Sequence, residues 1–248
     1  MSLGGRARDV LRTILLRSLS HRSLTPLLRL LPLAQRNAVE GQLRLAAALR
    51  RVLTPGMNCV DVGAYAGDML QVMVRCAPRG RHIAWEPLPY MARRLQRRFP
   101  NVDVRAAALS DRDGETTFTH VRSRPTYSGI RPRAYPGAET LEVITVKMER
   151  LDTALPHGYV PHLIKVDVEG AELQVLRGAS ETLRGHRPYL FFEHGRGGAD
   201  YYNTSPYEVY DFLIDECGLR ISDIDRTRAY SREEFAAADD RSDFLAHP

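Results

Sequence analysis

Short apolar runs alternate with amphipathic stretches over most of this chain. Cys59–Val62, His82–Trp85, residues 102–108, Leu163–Val166 and residues 189–192 have the length and composition of strands buried on both faces. Residues 68–75, 90–99 and 207–216 carry apolar side chains at helical spacing, and Gly218 stops the last of these. Residues 219–224 and 244–246 supply two more strands. The alternation predicts an α/β fold with a mostly parallel, Rossmann-like sheet and helices on both faces.

Two regions depart from this rhythm. Between Leu109 and His162 lie two strand-like runs, residues 116–121 and 141–146, joined by a loop rich in Arg, Pro, Gly and Tyr. They predict a β-hairpin insertion at about residues 112–148, with a loop long enough to reach over a site. Residues 1–55 form the other region. Residues 6–20 place apolar side chains at helical spacing between arginines, Pro26 and Pro32 interrupt, and a helix is expected from Ala38 to about Val52, closed by Thr54-Pro55-Gly56. The expected division is a basic helical segment over residues 1–55 and a catalytic domain over residues 56–248.

Charge sharpens that division. The chain is net +5, yet residues 1–55 hold ten arginines against Asp9 and Glu40, so the segment is +8 and the remainder −3. A basic pI confined to one end does not describe a nucleic-acid-binding body. It fits an arm held at an anionic membrane face, or leucines packed on the body as a lid or dimer face. No apolar run is long enough to span a bilayer, and no apolar core precedes a small-residue cleavage site. The Arg-rich, acid-poor start also fits a transit peptide. Cys59, Cys76 and Cys217 form no disulfide framework and no zinc pattern. The cytoplasm, with peripheral contact at the inner membrane face, is the expected location.

Chemistry gathers at the strand ends. Asp61, Glu86, Asp167 and Glu193 all fall where successive strands finish, at the edge where open α/β sheets bind ligands. Like charges there are costly unless something compensates. Asp61 opens the run Asp-Val-Gly-Ala-Tyr-Ala-Gly-Asp, in which Gly63 permits a tight turn and Gly67 permits close approach. The spacing is not the G-x-G-x-x-G of dinucleotide sites. It resembles the first motif of S-adenosylmethionine-dependent methyltransferases, where the acid faces the methionine end of the cofactor. Glu86 can accept hydrogen bonds from both ribose hydroxyls, and Ala107 and Ala108 leave room for adenine.

Ile164-Lys165-Val166-Asp167-Val168-Glu169-Gly170-Ala171-Glu172, with Leu176-Arg177-Gly178-Ala179 and Phe192-Glu193-His194, resembles the FkbM family of S-adenosylmethionine-dependent O-methyltransferases. Ala108-Leu109-Ser110-Asp111, Gly114-Glu115-Thr116 and Asp243-Phe244-Leu245-Ala246 resemble it too. The likeness covers roughly residues 58–247 and leaves residues 1–50 and the insertion tip unmatched. It implies a class I methyltransferase fold and methylation of a hydroxyl on a sugar, glycan, glycolipid or polyketide-like natural product. It implies that the cofactor lies against Asp61, Gly63, Gly67 and Glu86, and Tyr65, Asp68, Ala107, Ala108 and Asp167 complete the expected cofactor-binding set. The reacting centre then falls near Asp167, Glu169 and His194.

A hydroxyl needs a base or a metal before it attacks. His194 is the expected base, with Asp167 and Glu193 beside it. The same three residues could instead hold Mg²⁺. Two rival readings are a nucleic-acid methyltransferase and a membrane-associated or partner-binding module without catalysis. The first is disfavoured because the segment after the fourth strand lacks an aromatic to stack a flipped base. The second is disfavoured by the intact acid–glycine pattern. Oligomeric state is not legible.

Overall fold

The computed structural model describes residues 33–135, 137–195, 197–238 and 243–248. The amphipathic run at residues 6–20 lies outside them. Helix α1 (Leu33–Val52) leads into strand β1 (Cys59–Val62), helix α2 (Asp68–Cys76), β2 (His82–Trp85), α3 (Pro89–Arg98), β3 (Asp103–Arg105) and β4 (Ala108–Leu109). The insertion follows as β5 (Gly114–Val121) and β6 (Leu141–Glu149). Next come α4 (Leu151–Ala154), β7 (Leu163–Val166), α5 (Glu172–Arg177), α6 (Ser180–His186) and β8 (Tyr189–Glu193). The chain continues through α7 (Pro206–Asp211), β9 (Arg220–Asp223), α8 (Arg232–Ala236) and β10 (Asp243–His247).

Seven strands form the main sheet in the order β3-β2-β1-β7-β8-β10-β9. β1, β2, β3, β7 and β8 are parallel, and β10 runs antiparallel to both β8 and β9. The order reverses between β1 and β7, so the carboxyl ends of these central strands flank the crevice where such sheets take ligands. Every residue of β1, β2 and β7 is buried, as strands covered on both faces must be.

Alternation along the strands separates two cores. Val60, Val62, Ile164, Val166, Phe192 and Phe244 pack with α5–α8 on one face. Cys59, Leu163, Phe191 and Leu245 pack on the other with Val39, Leu43, Leu45 and Leu49 of α1 and with Met69 and Met73 of α2. Each fully buried leucine contributes about 1.5–3 kcal/mol. Arg44 and Arg51 also pair with Asp225 beyond β9. From Val39 onward, therefore, the basic segment is part of the body's packing. Of the two expected roles for residues 1–50, an arm on a membrane does not hold for α1, whose apolar face is spent on the sheet.

Three boundaries differ from expectation. The third strand ends at Arg105 rather than continuing to Ala108. The chain crosses there to a second sheet of order β4-β6-β5, where Ala108 pairs with Met148 and lies in a cluster with Phe118 and Val146. The helix expected over residues 207–216 is α-helical only to Asp211 and then widens, with Cys217 donating to the Phe212 carbonyl. Its start carries a capping box between Ser205 and Glu208. The first helix begins at Leu33, ahead of Ala38.

Candidate active site

The β1–α2 loop is pinned from both sides. The amides of Gly63 and Ala64 donate to the Trp85 carbonyl at 3.0 and 3.1 Å. Gly63 has φ +74°, and a Cβ on it would lie 1.9 Å from the Asp167 carbonyl oxygen, so only glycine lets the ends of β1 and β7 meet. Tyr65 and Gly67 also have positive φ. A Cβ on Gly67 would meet the side chains of Leu95 and Phe99 on α3. Asp68 starts α2, buried and 3.9 Å from Arg98.

Asp61 is fully buried, and burial raises its pKa against the pull of Lys165. Lys165 stands between two acids, its Nζ 3.5 Å from Asp61 Oδ1 and 3.1 Å from Asp167 Oδ2. Burial alone would lower its pKa, but Asp167 and Asp61 outweigh that and hold the ammonium above its ordinary value. Neither Asp61 oxygen has a hydrogen-bond partner of good geometry. A buried carboxylate that has an ion-pair partner in Lys165 but no hydrogen bond can still accept from a donor in the strand-end crevice.

Glu86 ends β2 beside this loop. Its carboxylate accepts from the amides of Tyr65 (2.8 Å) and Leu88 (2.9 Å). Burial pushes its pKa up to about 7, with those two amides opposing. Two backbone bonds leave further lone pairs for ribose hydroxyls. Ala107 and Ala108 are buried, Ala107 in the main core and Ala108 beneath the hairpin. The ground beside Glu86 is thus apolar, with the Tyr90 ring 5.5 Å from that of His120 on the insertion.

On the other side of Asp167 the chain turns through Glu169 (φ +61°) and Gly170. Glu172 folds back so that its carboxylate accepts from the amides of Val168 (3.0 Å) and Gly170 (3.1 Å), and burial raises its pKa to about 7. Burial and Asp167 raise Glu169 to about 8, with Arg133 opposing. Glu193 is raised by burial and then by Asp167 and Glu169, and Asp243, its antiparallel partner, rises to about 6. Lys165 is the buried cation that acts on Asp61, Asp167, Glu193 and Asp243.

The insertion closes over this group. Arg133 pairs with Glu169 and stacks on Tyr127, and the Arg131 amide donates to the Tyr202 hydroxyl at 3.0 Å. The Ala134 amide donates to the Tyr201 hydroxyl at 2.9 Å. The expected reach of the hairpin loop is thus observed, and its seat is the Gly197–Tyr202 segment.

His194 departs from the expected trio. Its ring is buried and stacks on Phe235 at 5.5 Å, and burial lowers its pKa with Asp200 opposing. Asp167 is engaged with Lys165 instead. Among the described residues no three His, Cys, Asp or Glu side chains are grouped to hold a metal ion, so Asp167, Glu193 and His194 are not brought together as a ligand set. Nor is any described helix long and apolar enough to cross a membrane. Sequence reasoning overlooked Lys165, Arg133, Glu172 and Asp243 as site residues. Lys165 carried a signal: a lysine inside the run Leu-Ile-Lys-Val is unexpected in a buried strand.

The strand order, with its reversal between β1 and β7, is that of a class I methyltransferase fold. A model of the methyltransferase FkbM domain matches residues 61–221, and the chain belongs to the FkbM methyltransferase family. AMB antimetabolite synthetase AmbE of Pseudomonas aeruginosa is 29% identical over 169 residues, which is 53% of this chain and 8% of that protein. Among solved structures, methyltransferase FkbM from Methylobacillus flagellatus KT matches with a TM-score of 0.50 at 14% identity, over 97% of this chain and 59% of that one. A SAM-dependent methyltransferase from Aquifex aeolicus matches at 15% identity with a TM-score of 0.43, over 82% and 87% of the two chains. The chain thus spans 8% of the first of these proteins and 59% of the second, less than two thirds of each.

Proposed function

We propose that this chain transfers a methyl group to a hydroxyl of a sugar, glycan or natural product bound beneath the insertion. The observation that carries this reading is the acid-lined crevice between β1 and β7, closed on its outer side by the contacts of Arg131 and Arg133 with Glu169, Tyr201 and Tyr202. In this reading Asp61, Gly63, Tyr65, Gly67, Asp68 and Asp167 hold the methionine end of S-adenosylmethionine, and Glu86, Ala107 and Ala108 the adenosine. The cofactor supplies an electrophilic methyl group on a sulfonium. The protein aligns the acceptor oxygen and takes its proton as the O–CH₃ bond forms. The antimetabolite synthetase among the relatives supports a natural-product acceptor.

Two groups can take that proton. His194, the expected base, is neutral near pH 7 because burial lowers its pKa. Glu169 is favoured by a different observation, since it lies next to Asp167, is partly exposed and has its pKa raised to about 8. Mg²⁺ has no part in this reading, because Asp167 is committed to Lys165. The enzyme works in the cytoplasm, and residues 1–32 are the segment that would touch an anionic inner membrane face.

The test uses the full chain with hydroxylated acceptors, scored by methyl transfer from labelled cofactor. His194→Ala and Glu169→Gln are compared at saturating cofactor. Loss of the base lowers turnover about 10²–10⁴-fold while cofactor affinity holds. Activity should persist in a chelator. Methylation confined to nitrogen or carbon acceptors would overturn the reading.

A further inference from the structure

Phe118 and His120 lie two positions apart on β5 and so share one face of the hairpin. Phe118 packs with Leu88, Met91 and Ala108, the apolar ground beside Glu86. His120 continues that inner face, and its ring lies 5.5 Å from the ring of Tyr90 at the start of α3. Burial raises the pKa of the Tyr90 hydroxyl, and Tyr65 and Glu86 raise it further, so this ring pair stands within electrostatic reach of Glu86.

The two nitrogens of His120 differ. Nδ1 lies 3.4 Å from Oε2 of Glu142, the cross-strand partner on β6. A neutral imidazole beside a carboxylate carries its proton on the nitrogen that faces it. Nε2 is then a lone-pair acceptor. It is buried and has no hydrogen-bond partner among the described residues. Such an acceptor costs free energy until a donor reaches it. One cover of the ring is Tyr90, itself exposed, so a planar base reaches His120 by displacing a surface ring and not the core. In the adenine of a nucleoside the ring nitrogens accept, and the exocyclic amine is the one hydrogen-bond donor of the base.

We propose that His120 determines specificity for the adenine base of the cofactor: Nε2 accepts from the exocyclic amine, and Glu142 fixes the tautomer. The insertion then contributes to the cofactor site as well as covering the acceptor. The inference rests on the proposed placement of the adenosine beside Glu86, Ala107 and Ala108.

The test is calorimetry with S-adenosylhomocysteine and its 6-deamino analogue, in which hydrogen replaces the amine. The wild-type chain should bind S-adenosylhomocysteine about 3–10-fold more tightly than the analogue, the span of one net hydrogen bond. His120→Phe keeps a ring against Tyr90 and removes the acceptor, so it should bring the two ligands within about 2-fold of each other. His120→Asn, whose shorter amide does not reach the Nε2 position, should do the same even where His120→Phe fails to fold. Equal affinity of the wild type for both ligands, or a ratio unchanged in a folded variant, would overturn the role of His120. Glu86→Gln separates this from the placement itself. It should weaken both ligands alike and preserve their ratio. If it weakens neither, the placement fails whatever the ratio at His120 shows.

Discussion

Arg133 of the insertion and Glu169 of the loop after β7 form an ion pair between side chains 11% and 26% exposed. The pair ties the insertion to the strand-end loop whose backbone leads out of the acidic crevice. Glu169 sits at φ +61°, a conformation unfavourable for a side-chain-bearing residue, so its position needs an external hold. Arg133→Ala should cost about 1–3 kcal/mol, less than for a fully buried pair because solvent reaches Glu169. It should raise the acceptor KM and leave cofactor affinity unchanged. Urea unfolding and acceptor titrations would check both. An unaltered acceptor KM would detach the insertion from acceptor binding.

Glu86 offers a direct probe of the proposed cofactor site. Glu86→Gln should weaken S-adenosylmethionine binding by about 1.5–3 kcal/mol, the range for hydrogen bonds to a charged group. With a carboxyl pKa of about 7, wild-type affinity should rise between pH 6 and 8 as Glu86 ionises, and the variant should flatten that rise. Calorimetry across this range reads both effects.

Stability should depend on pH in the opposite sense. Glu86 and Glu172 titrate near 7 in the folded protein and Glu169 near 8, against an ordinary value of 4.5. The folded state therefore holds these protons more tightly than the unfolded state. Their contribution is full below about pH 4.5 and is lost as pH rises through 7 to 8. The ligand-free Tm should fall between pH 5 and 8, and Glu172→Gln should reduce the slope. A Tm that climbs over this interval would contradict the burial of these acids.

Glycine substitutions should separate by site. Gly63→Ala and Gly170→Ala should prevent folding or cost several kcal/mol, at the severe end of single-mutant effects. Their Cβ atoms would lie 1.9 Å from the Asp167 oxygen and 2.3 Å from the Gly198 oxygen. Gly41 on α1 has open space around it, so Gly41→Ala should stabilise by about 0.5–1 kcal/mol. Thermal unfolding of the three variants gives the comparison.

The basic start of the chain makes a separate prediction. With the apolar face of α1 buried on the sheet, residues 1–32 are the part of the basic segment proposed to meet a membrane. The full chain should co-sediment with anionic vesicles at low salt and not at high salt, since each arginine near the surface adds about 1 kcal/mol that screening removes. Deleting residues 1–32 should abolish binding. Co-sedimentation unchanged by that deletion would locate the contact elsewhere.

Much of the architecture was legible in the chain itself. Cys59–Val62, His82–Trp85 and Leu163–Val166 are strands at the expected boundaries, because a fully buried parallel strand must be a short apolar run between turn residues. The hairpin could be read from its two β-rich runs, and the strand-end acids from the fact that each falls at or just past the end of such a run. These are local properties, set by neighbours a few positions apart.

What the tertiary structure decided is which distant groups meet. Lys165 becomes the counter-charge of Asp61 only because β7 pairs with β1, a hundred residues away in sequence. Arg133 meets Glu169 only because the insertion folds back over the carboxyl edge. Ala108 leaves the main sheet because Met148 offers a partner in the second one. His194 turns from the acids to Phe235, since burial favours a neutral ring stacked on an aromatic over one held among carboxylates. Periodicity carries the period of an element and the end at which its charges fall. It does not carry the pairing across the sheet, and that pairing sets the electrostatics of this site.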